Sequence, residues 1–309
     1  SFMKGIVLAG PTGVGKTDLS LKLAKILDAD IISCDSAQVY KEMNIGTAKI
    51  KGSEMNGIKH YMLDVLEPRE KYSVGEYQRA VDKILAQKEK EGRAVILTGG
   101  TGLYINSVVN GLSSLPENDP KLRDELMALS VDELYEKLLE LDPEAAEKIH
   151  KNNKKRVERA VEVCLITGKK FSVLSKENVK NNNYDFLKVC LIRDREILYK
   201  RIDKRVDIMM NEGLLDEVAA LYKKYGGEIL RKINIIGYTQ LIDYLEGKIS
   251  LETAVEFIKR DSRHYAKRQM TWFNNDSGYL WFDLEKQSEN EILKTIIEQY
   301  KAMDHQELT

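Results

Sequence analysis

The sequence predicts an α/β fold, a doubly wound parallel sheet flanked by helices and interrupted by an all-helical insertion. Three observations predict it. Short apolar runs of strand length alternate with amphipathic helical patterns, as in sheets buried on both faces. The first run opens directly into a glycine-rich phosphate-loop pattern. Residues 113–183, by contrast, carry helix signals and no convincing strand.

Taken in order, the expected strands are residues 6–9, 29–34, 94–98, 187–192 and 279–282. A helix over 18–27 follows the first strand. Another over 77–90 precedes the third, with Tyr77, Ala80, Val81, Ile84 and Leu85 on one face. Within the insertion, Asp119-Pro120 and Asp142-Pro143 each read as an N-cap with proline at the first helical position. Ser130 and Glu133 have capping-box spacing, and residues 153–167 read as a helix stopped by Gly168. Residues 176–183, polar and asparagine-rich, read as a loop. Beyond the fourth strand come helices over 195–212, closed by Gly213, over 214–225, and over 250–274 with Ser250 as N-cap. The chain thus divides into a core of residues 3–112 and 187–309, with C-terminal helices, and an insertion of residues 113–186. Ser1-Phe2, ahead of Met3, is set aside as a foreign leader.

The glycine-rich loop reads Gly10-Pro11-Thr12-Gly13-Val14-Gly15-Lys16-Thr17, between a strand and a helix. Its glycines let backbone N–H groups turn toward one anion, and the helix N-terminus adds partial positive charge. Lys16 supplies a cation, and Thr17 offers a hydroxyl to a magnesium ion (Mg2+). This places the core in the P-loop NTPase-like class. A nucleotide hydrolase normally ends a neighbouring strand on an acid that helps hold magnesium. Here the third strand runs into Gly99-Gly100-Thr101-Gly102, and the acid, Asp35, follows the second strand instead. Ligands bind at the carboxyl edge of a parallel sheet, so Asp35 and Thr101 are expected to face the same crevice as Lys16. In that crevice the loop can hold a leaving group while Asp35 acts as a base toward a nucleophile.

The remaining composition bounds partners and compartment. The 309 residues carry a net charge of −1, so any affinity for nucleic acid must be local. Two segments qualify, residues 148–159 and 259–272; the second interleaves Tyr265 and Trp272 with its cations. The helix over 195–212 balances its basic residues with acids and reads mostly as salt-bridged surface. Three dispersed cysteines fit neither a disulfide framework nor a zinc knuckle and indicate a reducing, cytoplasmic setting. The four histidines show no metal-site or triad spacing. No stretch reads as a signal peptide or membrane span, so no membrane partner is expected.

Read together, "GPTGVGKT", "DSAQVYKEMNIGTAK" (35–49), "GGTGLY" (99–104), "LYKRIDKRVDIMMNEGLLDEV" (198–218), "IGY" (236–238) and "YAKRQMTWF" (265–273) resemble, in this order, the bacterial tRNA dimethylallyltransferases, also called tRNA isopentenyltransferases. The resemblance implies transfer of the dimethylallyl group of dimethylallyl diphosphate to N6 of the adenosine 3′-adjacent to a tRNA anticodon, releasing diphosphate. It implies that Asp35 meets the N6 amine, that Ser36, Ala37 and Gln38 touch the base, and that Thr101 lines the reaction channel. It also implies that residues 10–17 hold the diphosphate with Arg205 as a second cation, and that Arg123, Lys155, Arg156 and Arg159 touch the tRNA anticodon stem-loop. A monomer with magnesium is expected. Asn44 stands where the family commonly has aspartate, and Ile50 where it has proline; both lie in a connecting loop. With three dispersed cysteines, the zinc finger of eukaryotic relatives is not expected. Three alternatives stay open: an adenylate isopentenyltransferase, which needs no basic clamp; a P-loop small-molecule kinase; and a nucleotide-switched RNA binder without a covalent product.

Overall fold

The computed structural model describes residues 2–307, so the expectation for Ser1 lies outside the described residues. In chain order the elements are β1 (Met3–Ala9), α1 (Lys16–Leu27), β2 (Asp30–Ser33), β3 (His60–Tyr61), α2 (Val74–Glu91), β4 (Val95–Gly99), α3 (Gly102–Val109), β5 (Leu112–Ser113), α4 (Pro120–Met127), α5 (Val131–Leu141), α6 (Pro143–Lys148), α7 (Lys154–Thr167), α8 (Phe171–Leu174), β6 (Asn178–Val179), β7 (Tyr184–Ile192), α9 (Arg195–Asn211), α10 (Leu214–Tyr225), α11 (Gly227–Ile233), α12 (Tyr238–Leu245), α13 (Leu251–Asn274), β8 (Leu280–Asp283) and α14 (Glu289–Glu307).

The main sheet has the order β3-β2-β4-β1-β7-β8, and every pairing in it is parallel. β1 sits centrally because its residues are apolar on both faces. Ile6 and Leu8 pack with Leu19, Leu23, Ile31, Val189 and the Ile292–Ile296 face of α14. Val7 and Ala9 point the other way, into Ile32, Leu97, Tyr77, Val81 and Ile105. This period-two division is what a strand covered by helices on both sides requires. Burying each such branched side chain contributes about 1.5–3 kcal/mol.

Register fixes the site. Ala9 lies opposite Gly99 on one side and Cys190 on the other, while Ser33 lies opposite Thr98. The loops leaving β1, β2 and β4 therefore open side by side at the carboxyl edge, where the chain order also reverses across β1. A third cluster, Met43, Val206, Leu214, Val218, Leu230, Tyr238, Leu241 and Ile258, holds α10 to α13 together with the loop after β2.

Residues 110–181 form a second compact unit with a core of its own, built on Leu126, Leu134, Leu138, Ala145, Val157 and Val161. Asp119, Ser130 and Asp142 cap as the sequence predicts, each accepting a backbone N–H of the helix that follows, and Asn153, read as the first helical residue, does the same. It starts three residues before, and ends five residues before, the expected 113–186. It is also not wholly helical. Leu112–Ser113 pairs antiparallel with Asn178–Val179, inside the stretch read as loop. Two-residue strands carry too little periodicity to be read, and β3 escapes the sequence for the same reason. The helix α14 lies beyond the expected elements, although Ser288 caps it and Ile292, Leu293 and Ile296 supply its buried face. Among the described residues no helix is long and apolar enough to cross a membrane.

Candidate active site

Two cavities meet above the carboxyl edge of the sheet. The first, about 510 Å³, is lined by Lys16, Thr17, Gly99 and Gly100 from the sheet edge, by Gln38 and Ile50, and by Arg201, Lys204 and Arg205 from α9. The second, about 560 Å³, is lined by Ser36, Ala37, Tyr40, Tyr72, Tyr104, Ile236, His264 and Arg268. Thr12, Asp35, Arg205 and Tyr265 line both, and so form the shared wall.

The phosphate loop needs its glycines: Gly13 and Gly15 hold φ of +79° and +113°, a region costly for residues with a Cβ. The Lys16 ammonium donates to the carbonyls of Gly10 at 2.7 Å and Pro11 at 2.9 Å. Burial pulls its pKa down to about 8, with the Arg205 charge acting the same way and Asp35 and Cys190 opposing. Burial also lowers Arg205, chiefly offset by Asp35. The Arg205 guanidinium donates to the Thr12 hydroxyl at 3.1 Å, and Arg201 donates to the Gly13 carbonyl at 2.9 Å. Arg193 donates to the Val14 carbonyl at 2.8 Å and pairs with Glu285 at 2.7 Å.

The helix α9 corrects a sequence reading. Its charge balance predicts mostly self-paired surface. Instead Asp203 pairs with Arg263 and Asp207 with Lys259 of α13, while Arg201, Lys204 and Arg205 line the first cavity. Four-residue spacing from Arg201 to Arg205 puts both on one helix face, a signal present in the sequence.

Asp35 terminates the β2 edge in a tight turn, its Oδ1 accepting the N–H groups of Ala37 at 2.8 Å and Gln38 at 3.4 Å. Thr101 does not line either cavity. Its backbone N–H donates to the Cys34 carbonyl at 3.1 Å, and its hydroxyl oxygen accepts the Ser36 N–H at 3.0 Å. Its side chain also hydrogen-bonds Tyr265 of the shared wall, so it braces the Asp35 turn and the cavity wall together. Gln269, which sequence reasoning passes over, joins the loops: its Oε1 accepts the Thr12 N–H at 2.9 Å, and its Nε2 donates to the Gly100 carbonyl at 3.1 Å. A Cβ on Gly100 would lie 2.1 Å from Gln269 Nε2, and one on Gly99 would lie 2.3 Å from the Cys34 carbonyl. Close approach, with no positive φ, explains that glycine run. Asn44, the departure noted above, accepts from Lys49 Nζ at 3.0 Å, and Lys49 also pairs with Asp64 at 2.5 Å.

Among the described residues, no three His, Cys, Asp or Glu side chains gather as a metal cage. The exposed Thr17 hydroxyl at the first cavity nevertheless fits a magnesium ion carried on phosphate oxygens, since that ion takes few protein ligands and keeps several waters. Cys34 and Cys190 are buried, and burial pushes both thiols up to about 12, which suits core packing better than nucleophilic work.

The basic segments resolve unevenly. On α13, Lys259, Arg260 and Arg263 are engaged in ion pairs, while His264, Lys267 and Arg268 are exposed and His264 and Arg268 line the second cavity. In the second unit, Arg123, Lys155 and Arg156 are exposed and, among the described residues, carry no ion pair. Arg159 is committed to its own unit: it pairs with buried Glu162 at 2.7 Å and donates to the Pro116 carbonyl at 2.6 Å.

The family model described as IPP transferase matches residues 38–276, starting three residues beyond Asp35. A tRNA dimethylallyltransferase of Fusobacterium nucleatum is 58% identical over 95% of this chain and 96% of its own. One of Clostridioides difficile is 45% identical over 94% of this chain and 95% of its own. Among solved structures, the full-length tRNA isopentenylpyrophosphate transferase of Bacillus halodurans superposes with a TM-score of 0.76 at 38% identity, covering 99% of both chains. A eukaryotic dimethylallyltransferase acting on tRNA gives 0.74 at 32% identity, over 91% of this chain and 74% of its own. With its parallel P-loop sheet, its cation-lined phosphate cavity and matches along nearly its whole length, the chain belongs to the IPP transferase family, the tRNA dimethylallyltransferases.

Proposed function

We propose that this chain transfers the dimethylallyl group of dimethylallyl diphosphate to N6 of the adenosine 3′-adjacent to a tRNA anticodon. The observation that carries the reading is the shared wall: Asp35 and Arg205 line both the phosphate-side cavity and the aromatic-lined cavity. A donor held by its diphosphate in the first can then meet a base held in the second beside Asp35.

In the step, the C1–O bond of the donor breaks and the C1–N6 bond forms. The amine gives up one proton, accepted by the Asp35 carboxylate, and the diphosphate leaves with the bonding electrons. An exocyclic adenine amine is a weak nucleophile, so help is needed at both ends. Lys16 and Arg205 stabilise charge that builds on the departing diphosphate, and Arg201 and Lys204 extend that field along the first cavity. A magnesium ion held through Thr17 would add to this neutralisation. The cavity walls shelter the allylic carbon from water. The target base must leave its stack to enter, at a cost of a few kcal/mol. Ser36 and Ala37, which line the second cavity, read it, while Gln38, on the first cavity, supports the Asp35 turn; Arg123, Lys155 and Arg156 hold the anticodon stem-loop, with Arg159 shaping their unit. The protein works as a monomer in the cytoplasm.

The test incubates the protein with dimethylallyl diphosphate, magnesium and unmodified tRNA, and maps the product by mass spectrometry. One added C5H8 unit on the adenosine next to the anticodon supports the reading. Modification of free AMP in preference to tRNA, or phosphate transfer from labelled ATP without the prenyl donor, overturns it.

A further inference from the structure

The mechanism leaves one half-buried arrangement unused. Glu217, on the first turns of α10, turns its carboxylate into the loop that follows β2. Its Oε1 accepts the N–H groups of Asn44 at 3.1 Å and Ile45 at 3.0 Å. Its Oε2 accepts those of Ile45 at 3.1 Å and Gly46 at 3.3 Å, and the Tyr238 hydroxyl at 2.6 Å. Three consecutive backbone amides converging on one anion form a nest of the kind that commonly binds phosphate; here the chain supplies the anion itself. The Tyr238 ring closes the clamp from below. A Cβ on Gly46 would lie 2.5 Å from it, so only glycine lets the loop settle this deeply.

The clamp is connected to Asp35 by hydrogen bonds joined through short stretches of backbone. Thr47 follows the clamped residues, and its hydroxyl donates to the Met43 carbonyl at 2.7 Å. The Thr47 carbonyl accepts from Gln38 Nε2 at 3.0 Å, while Gln38 Oε1 accepts the Ser33 hydroxyl at 3.2 Å. These two bonds fix the Gln38 amide in one orientation. The Gln38 backbone N–H in turn donates to Asp35 Oδ1. Gly46 and Thr47 also line the second cavity, and Gln38 and Ala48 the first, so the clamped segment continues the wall on which Asp35 stands.

We propose that Glu217 and Tyr238 are positioning residues for the transfer step, acting through the backbone of residues 44–47 and the side chain of Gln38 to aim the Asp35 carboxylate. Neither touches a reacting atom. The inference rests on the function proposed above. Their effect belongs to the rate of the chemical step and leaves the phosphate site alone, which is held by α9 and Gln269 through separate contacts.

Single-turnover prenylation of an anticodon stem-loop, with the stem-loop saturating and dimethylallyl diphosphate varied, tests this. Wild-type turnover comes first: if the native protein forms no prenylated adenosine, the function itself falls, and the positioning role falls with it. Given wild-type turnover, Glu217→Gln is expected to slow the single-turnover rate at least tenfold, and Tyr238→Phe about threefold, with the donor KM unchanged within twofold in both. In a Gln38→Ala background, which has already cut the chain, each change should cost less than twofold further. Losses equally large in both backgrounds would mean a general structural role and overturn the proposal, as would an unchanged rate or a donor KM that rises with it. Should Glu217→Gln lie unfolded at the assay temperature by its melting curve, Tyr238→Phe, which keeps the ring against Gly46, decides the matter by the same comparison.

Discussion

Lys16 makes a quantitative demand on donor binding. Burial and the neighbouring Arg205 bring its pKa from the ordinary 10.5 down to about 8, so its charge changes within an accessible pH range. Only the ammonium attracts diphosphate. Between pH 7 and pH 9 the charged fraction falls from about nine-tenths to about one-tenth, which lowers donor affinity about tenfold. Binding a diphosphate restores the charge, so at pH 8 to 9 binding takes up a proton. Isothermal calorimetry with a non-hydrolysable donor analogue, in two buffers of different ionisation enthalpy, measures both quantities. Lys16→Arg keeps a permanent cation and should flatten the slope whatever its absolute affinity. A wild-type affinity independent of pH between 7 and 9, or an equal slope in Lys16→Arg, would refute the reasoning. The sign for folding is the opposite. A lysine whose folded pKa lies below its unfolded value penalises the folded state at low pH. Between about 8 and 10.5 the unfolded chain binds more protons, and Lys16 contributes a stability that rises with pH.

Other outcomes follow from the same contacts. Asp35→Ala should slow transfer about 10²–10⁴-fold, the usual worth of a positioned base, while a filter-binding measurement of tRNA affinity changes little. Gly100→Ala drives a Cβ onto Gln269 Nε2, 2.1 Å away; the forced shift should cost about 1–3 kcal/mol in a denaturant melt and raise the donor KM. Affinity for tRNA should fall steeply between 50 and 200 mM salt, as it does when several phosphates are neutralised. Reversing the exposed cations in the pair Lys155→Glu and Arg156→Glu should reduce that slope by about 2, whereas Arg159, tied to Glu162, is expected to act on stability first.

Much of this is legible in the sequence because it is local. Capping residues such as Asp119, Ser130 and Ser250 announce helix starts within four residues, and the buried strands β1, β4 and β7 are apolar runs that need no partner to be recognised. The phosphate loop and Asp35 are legible for the same reason, each at the end of such a run. What escapes depends on pairing across distance. Whether Arg201 is surface or site is decided by its reach to the Gly13 carbonyl, 188 residues away, while the acids of its helix pair with α13 instead. Gln269 reads as one more polar residue in a basic helix until its amide is seen to bridge Thr12 and Gly100. Thr101 reads as a channel residue through the family resemblance; that its hydroxyl holds the Ser36 N–H shows only in the fold.

The glycines after β4 bear on why the acid stands after β2. Gly99 packs its α-carbon against the Cys34 carbonyl, Gly100 against Gln269, and Gly102 beneath Trp272, whose Nε1 would lie 1.9 Å from an added Cβ. No carboxylate fits at any of these three positions without displacing these neighbours, and at Gly100 the neighbour is the Gln269 that holds the phosphate loop. The neutral Gln269 amide fills the space beside the loop and satisfies one of its N–H groups, the Thr12 amide, without adding charge. Of the acids lining the first cavity, Asp18 and Glu54 do not reach the second, and only Asp35 stands in the shared wall. Cations gathered on the loop and α9, with one carboxylate set apart at the boundary, separate stabilisation of a leaving anion from removal of a proton. That separation is what a displacement at carbon needs, with an anionic group departing on one side and a neutral amine arriving on the other, to lose a proton as its bond forms.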